Sequence, residues 1–321
     1  MLSRVADALY WMARYSERTE TNAHILQVQL LNMLEQSGKE NEYLDHWEAI
    51  LDICASKEEF ISYYEVIRVN PLIEYLLFSE NNSNAIHATL RAIRENARIT
   101  RDSIPIELWE LHNAFYLYMQ QEITVRERPF PLISLNYFLH NVRKTSLTVT
   151  GLIEGSMERD LPFYFMQVGK WLERAEKMIR MILIMLEQQK LMASDLQEAD
   201  GTFLLDLSKA TEPYLRKHHQ THLLNVIQYL LHDDHFPRSV IVCLKKLEEA
   251  FTHIEEDHLT ERFLALNTPL RALLSAINNI DLSTSSLEEA IFSMEERLCQ
   301  CIDFGHTFST IYHLYEPSLQ S

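Results

Sequence analysis

Arg14-Tyr15-Ser16-Glu17-Arg18-Thr19-Glu20 and, much further along, Lys170-Trp171-Leu172-Glu173-Arg174-Ala175-Glu176 carry the same Glu-Arg-x-Glu pattern, 156 residues apart (173 − 17). A second pair follows in the same order. Ile73-Glu74-Tyr75-Leu76-Leu77 matches Ile227-Gln228-Tyr229-Leu230-Leu231 at a shift of 154 (227 − 73), and Ala85-Ile86 then falls on Ser239-Val240. A period of about half the chain implies one duplicated module rather than a solenoid of short repeats. Coincidence between two amphipathic stretches is the competing explanation. The expected fold is all-α, with two tandem, internally duplicated helical bundle modules, residues 1–150 and 151–321.

Gly151, Gly155, Asp160 and Pro162 cluster where the modules should meet, and Met157 falls on Met1. Asp160 or Leu161 as a cap, with Pro162 in the first turn, is a recognised helix start. Ser103 and Pro105 precede an apolar-periodic run through Trp109 and Tyr116, and Ser285 with Glu288 predicts a capping box ahead of Ile291 and Leu298. No convincing alternating strand is found, so each module should be a bundle of about four to six helices.

Composition agrees. Six glycines in 321 residues is well below the usual share of roughly 7%, and a glycine-poor chain rich in Leu, Glu, Met, Gln and Ala favours long helices. The formal charge of −17 repels phosphate backbones and anionic membranes, so neither nucleic acid nor membrane is an expected partner. Cys54, Cys243, Cys299 and Cys301 form no C-x-x-C and no disulfide framework; buried free thiols in a reducing cytoplasm are expected. Met181 to Leu186 is too short an apolar run to span a membrane, and Met1-Leu2-Ser3-Arg4-Val5-Ala6-Asp7 lacks a signal core.

Wound at about 100° per residue, residues 2 to 34 put Leu2, Val5, Leu9, Met12, Ala13, Ala23, Leu30, Leu31 and Leu34 on one stripe, with Glu20 inside it and Glu17 at its edge. In the second copy Phe165, Val168, Leu172, Ile179, Leu183 and Leu186 form the stripe and Glu176 stands where Glu20 does. Both modules should therefore aim a carboxylate at the core. Arg18, near Trp11 and Tyr15, and Arg174, beside Trp171, lie on the other side, as on a central helix packed all round.

A buried carboxylate needs a partner. Arg94-Glu95-Asn96-Ala97-Arg98 and Arg101 supply candidates, because Arg94, Arg98 and Arg101 share one helix edge beside Ile86, Leu90, Ile93 and Ala97. They are expected to meet Glu17 and Glu20. In the second copy the corresponding helix reads Lys245-Lys246-Leu247-Glu248-Glu249 and lacks the row, which leaves Arg238 as a candidate partner for Glu173 or Glu176. Two roles remain open for these groups. Buried Glu–Arg networks can fix one packing arrangement without doing chemistry. Alternatively, arginine forks around a desolvated glutamate suit a carboxylate- or phosphate-bearing substrate, with the glutamate as general base.

Weaker signals point elsewhere. His218 and His222 could grip a metal from one helix face, but a closed site would also need Asp233 or Asp234, and no metal or other cofactor is expected. Asp200-Gly201 fails as a calcium loop, since Leu196 and Leu207 would occupy its ends. Neither a phosphate-cradling glycine loop nor a nucleophile motif occurs. The run from Met178 to Met185 reads as core packing.

Taken together, the opening Met1-Leu2-Ser3-Arg4-Val5-Ala6-Asp7, Tyr10-Trp11-Met12, Glu17-Arg18-Thr19-Glu20, Arg94-Glu95-Asn96-Ala97-Arg98 with Trp109 and Asn113, Gly169 through Glu173-Arg174-Ala175, and Phe236-Pro237-Arg238-Ser239-Val240 resemble the alpha-E family. These are bacterial all-helical proteins named for a Glu-Arg motif. Lys170, Ser156 and Met178 depart mildly from its pattern. The resemblance implies genes placed beside, or fused to, ATP-grasp-type amide ligases and transglutaminase-like peptidases. It thus implies an accessory or scaffold role in making or processing peptide or amide-linked products.

Overall fold

Long amphipathic runs separated by short polar turns become helices throughout. The computed structural model describes residues 3–35, 40–125, 131–192, 198–255, 260–282 and 285–314, and all regular structure among them is helical. The chain divides into two compact units, Met1–Gly169 and Lys170–Leu314.

The first unit holds α1 (Ser3–Glu35), α2 (Glu40–Ile53), α3 (Lys57–Tyr63), α4 (Val69–Phe78), α5 (Ile86–Ile99), α6 (Ile106–Val125) and α7 (Leu132–Ser156). The division falls inside α8 (Leu161–Met192). The second unit continues with α9 (Glu198–Ser208), α10 (Thr211–Leu215), α11 (Leu223–His232), α12 (Val240–Thr252), α13 (Glu261–Asn278) and α14 (Leu287–Tyr312).

The 33 residues of α1 form the axis of the first unit, packed along α5 on one side and α7 on another. Its middle is buried on every side: Leu9, Tyr10, Met12, Tyr15, Ala23 and Ile25 are sealed, and so are polar Thr19, Asn22 and Gln29. The predicted apolar stripe outruns this burial, because Leu31 and Leu34 in the last turns are exposed. In the second unit α9 packs on α11, α12 on α13, and α13 on α14.

The break between α7 and α8 falls inside the expected stretch, and one predicted cap is corrected. Gly151 and Gly155 do not break the chain but ride on the exposed face of α7. The break comes at Met157, whose extended backbone ends α7, and at Asp160, whose carboxylate accepts from the Phe163 amide as α8 begins. The capping box of α14 sits one residue later than predicted, at Ser286 and Glu289. In Ser285-Ser286-Leu287-Glu288-Glu289 either register satisfies the motif; Ser285 instead donates to the Asp281 carbonyl. Met178, Met181 and Met185 are core residues, as expected. Three of the four free cysteines are buried, but Cys299 is exposed.

Gly169 faces α1 so closely that a β-carbon would collide with the carbonyl oxygen of Tyr10. In the second unit Gly201 lies inside α9, where a β-carbon would strike the Thr221 carbonyl. It is a packing glycine, not part of a calcium loop.

One local geometry occurs in both units. Ala55 (φ 52°) and Lys209 (φ 61°) are left-handed residues 154 positions apart (209 − 55), each following the end of a helix. The next residue in each case donates back to the carbonyl five positions upstream: Ser56 to Leu51 at 2.9 Å, and Ala210 to Leu205 at 2.8 Å. That is the hydrogen bond by which a left-handed residue closes a helix terminus. Downstream, Phe60 stacks on Tyr64 at 4.7 Å and meets Tyr75 edge-on at 5.2 Å. At the same shift Tyr214 stacks on His218 at 4.6 Å and meets Tyr229 edge-on at 5.1 Å.

Candidate functional site

On α1, successive residues of the Glu-Arg stretch radiate to different neighbours. Glu17 and Glu20 are 8% and 6% exposed and both are engaged, so the expected inward carboxylate is present. Arg18 lies over the Tyr15 ring at 5.5 Å and donates to Asn84 Oδ1 at 2.9 Å. Arg14 donates to the Tyr10 hydroxyl and packs over Trp11 at 5.3 Å. Thr19 donates to the Thr89 hydroxyl at 2.8 Å, joining α1 to α5. Gln27 donates to Asn136 at 2.7 Å and accepts from Arg143 at 2.6 Å, joining α1 to α7.

Asn84 is a partner that the pattern of the sequence left unnoticed. It belongs to the turn Asn81-Asn82-Ser83-Asn84, where short amide side chains compete well for backbone groups. Asn82 is sealed; its Oδ1 accepts from the Asn84 amide and the Ser56 hydroxyl, and its Nδ2 donates to the Tyr75 carbonyl. Asn84 Nδ2 in turn donates to the Ala55 carbonyl. This asparagine turn ties the end of α4 to the α2–α3 turn and presents Asn84 to Arg18. The run of asparagines is the signal by which it could have been found.

The arginine row goes elsewhere than expected. Arg94 Nε donates to Asn113 at 2.8 Å and its NH1 to Glu95 at 2.7 Å, while the guanidinium lies over Tyr116 at 5.0 Å and Trp109 at 6.0 Å. Arg98 clasps the other oxygen of Glu95 at 2.9 Å, and Arg101 lies over Trp109 at 5.1 Å. These contacts run to α6 and Glu95, so the expected meeting with Glu17 and Glu20 is not made. The reason is helical phase: Thr89, which touches α1, and Arg94 are five residues apart, about 140° around α5. Asn96 points the other way from the row; it is 3% exposed and its Nδ2 has no hydrogen-bond partner among the described residues. Further along the α5–α6 seam, Gln120 meets His87 Nε2 at 2.8 Å. Burial and the nearby charge of Arg91 lower the pKa of His87.

In the second unit Arg174 and Lys170 both lie over the Trp171 ring at 4.7 Å. Glu173 is buried, while Glu176, the residue expected inside, is only half-buried. Arg238 is half-buried one position before the cap residue Ser239 of α12. His218 and His222 share no helix face, because the chain between α10 and α11 is not helical there; His218 is held in the ring stack on Tyr214. Among the described residues no three His, Cys, Asp or Glu side chains converge as a metal site would require. Nor is any described helix long and apolar enough to cross a membrane.

These features define an all-helical protein whose long leading helix buries a Glu-Arg motif among polar cross-links to its neighbours. Residues 1–308 match the family model Alpha-E, described as "a predicted alpha-helical domain with a conserved ER motif", and the chain belongs to that family. No curated protein and no solved structure matches it.

Proposed function

We propose that this chain is an accessory helical protein that works with an ATP-grasp-type amide ligase or a transglutaminase-like peptidase in the bacterial cytoplasm, in the synthesis or processing of a peptide or amide-linked product. The observation that carries this reading is the separation of the two polar clusters. Glu17 and Glu20 are buried in the packing of α1, whereas Arg94 and Arg101 lie over rings of α6 and Arg98 is exposed beside Glu95 on α5. A catalytic site of the alternative kind, a glutamate base facing an arginine cradle in one cleft, needs those groups together. The enzyme reading therefore loses ground, and the Glu-Arg motif serves to fix the packing of α1. The two-module organisation, 1–150 and 151–321, belongs to the same reading. The left-handed turns and ring triads repeated at a shift of 154 support it.

The test is affinity purification of the tagged chain co-expressed with an ATP-grasp-type amide ligase from the same genome. A stoichiometric complex that persists through gel filtration is expected. Clean failure of the two to associate, with or without ATP and the ligase product, would remove the proposal.

A further inference from the structure

Residues 86–102 put four arginines on one stripe of α5 and the following turn: Arg91, Arg94, Arg98 and Arg101, at spacings of three and four. The acids in this stretch are Glu95 and Asp102. Glu95 is spent within the row, one oxygen on Arg94 and the other on Arg98. Among the described residues Arg91 and Arg101 have no carboxylate partner. The row faces outward: the Arg98 side chain is 61% exposed and Arg101 is exposed.

An aromatic floor orients it. Trp109, Asn113 and Tyr116 lie on one stripe of α6, and Arg94 and Arg101 lie over its rings. A guanidinium stacked on a ring keeps its N–H edge free to donate in its own plane, the geometry of a carboxylate fork. Glu107 and Glu110 leave α6 about 100° or more from Trp109 and do not sit in the row.

We infer that this α5–α6 face is a docking surface for an extended acidic peptide, with Arg101 as its main fork, Arg91 and Arg94 flanking it, and Arg98 adding the exposed charge that its clasp on Glu95 leaves available. Charge complementarity carries the choice of occupant, since a chain of net charge −17 gathers four arginines on one strip. Spacing agrees. Arginines three and four apart on a helix stand about 5–6 Å from one another at the β-carbons. Alternate carboxylates of an extended peptide stand about 6.6 Å apart on one side. The way Glu95 bridges Arg94 and Arg98 displays the same carboxylate geometry inside the row. A nucleic acid suits the face poorly, because its phosphates would continue past a short strip into acidic surface. The inference does not depend on which enzyme the chain serves.

The experiment is fluorescence anisotropy of a labelled oligoglutamate peptide titrated with the full chain at low ionic strength, with oligolysine and a single-stranded oligodeoxynucleotide of matched length as controls. Saturable binding of oligoglutamate alone is expected. In the double variant Arg98→Glu/Arg101→Glu the affinity should fall by about tenfold or more while the far-ultraviolet helical signal is retained, because both side chains are exposed and lose only surface contacts. Arg101→Lys keeps the charge without the fork and should bind measurably more weakly than wild type. Absent binding, equal affinity of wild type and the double variant, affinity that follows net charge alone in Arg101→Lys, or preference for the oligodeoxynucleotide would each overturn the inference.

Discussion

Replacing Glu20 by Gln removes the charge from a side chain that is 6% exposed and engaged in the interior of α1. The groups around it then lose a charged partner where water cannot replace it. Urea unfolding should show a loss on the order of 3 kcal/mol. If the motif is a packing device, any association with the proposed ligase partner should survive the change at a permissive temperature. Gly169 and Gly155 make a matched pair at the same scale. Gly169→Ala drives a methyl group into the Tyr10 carbonyl and should cost about 1–3 kcal/mol. Gly155 has nothing within 4 Å of its would-be β-carbon, so Gly155→Ala should stabilise the exposed helix by up to about 1 kcal/mol. A melt in which both variants move the same way would contradict this account of the two glycines.

At the scale of the element, α14 starts from one well-formed cap. The Ser286 hydroxyl takes the Glu289 amide while the Glu289 carboxylate takes the Ser286 amide at 2.8 Å. The Ser286 amide and, at 2.9 Å, the Ser286 hydroxyl both donate to that carboxylate and hold the Glu289 carboxyl below its ordinary pKa. Ser286→Ala should therefore destabilise by about 1 kcal/mol, and Ser285→Ala should be close to silent in the same denaturation assay. The reverse order would place the cap in the register that the sequence first suggests. The asparagine turn before α5 works through side chains instead. Ala85 offers α5 no cap, and Asn82 and Asn84 hold the entry by bonding to α4, to the α2–α3 turn and to α1.

Across the whole molecule, acid should be the weak side. Burial pushes the pKa of His112 on α6 down to about 4 from 6.5, and its Nε2 has no hydrogen-bond partner among the described residues. The folded chain thus keeps this imidazole neutral while the unfolded chain binds a proton below about pH 6.5. The sign follows: there is no contribution above the unfolded value, and stability is lost progressively as pH falls from about 6.5 toward 4. His87 is lowered in the same direction. Urea midpoints should fall between about pH 7 and pH 5, with His112 accounting for about 2 kcal/mol. His112→Gln should flatten that slope; an unchanged slope would show that His112 is protonated in the folded state.

Helical periodicity, scarce glycine and the Glu-Arg pattern determined the all-helical class, the central position of the leading helix and the burial of Glu20, because each depends on the order of residues along one helix. The Met-rich core of α8 was legible on the same ground. The destination of the arginine row was decided by tertiary structure alone. A helix offers several faces, and whether Arg94 meets α1 or α6 depends on which neighbour packs against which face, about 140° apart on α5. For the same reason the sequence left open Asn84 as the partner of Arg18 and the Tyr10 carbonyl as the obstacle behind Gly169, and it set Glu176 inside where the packing of the second unit buries Glu173. Each of these is a contact between segments distant along the chain, set by close packing between helices rather than by the period within one.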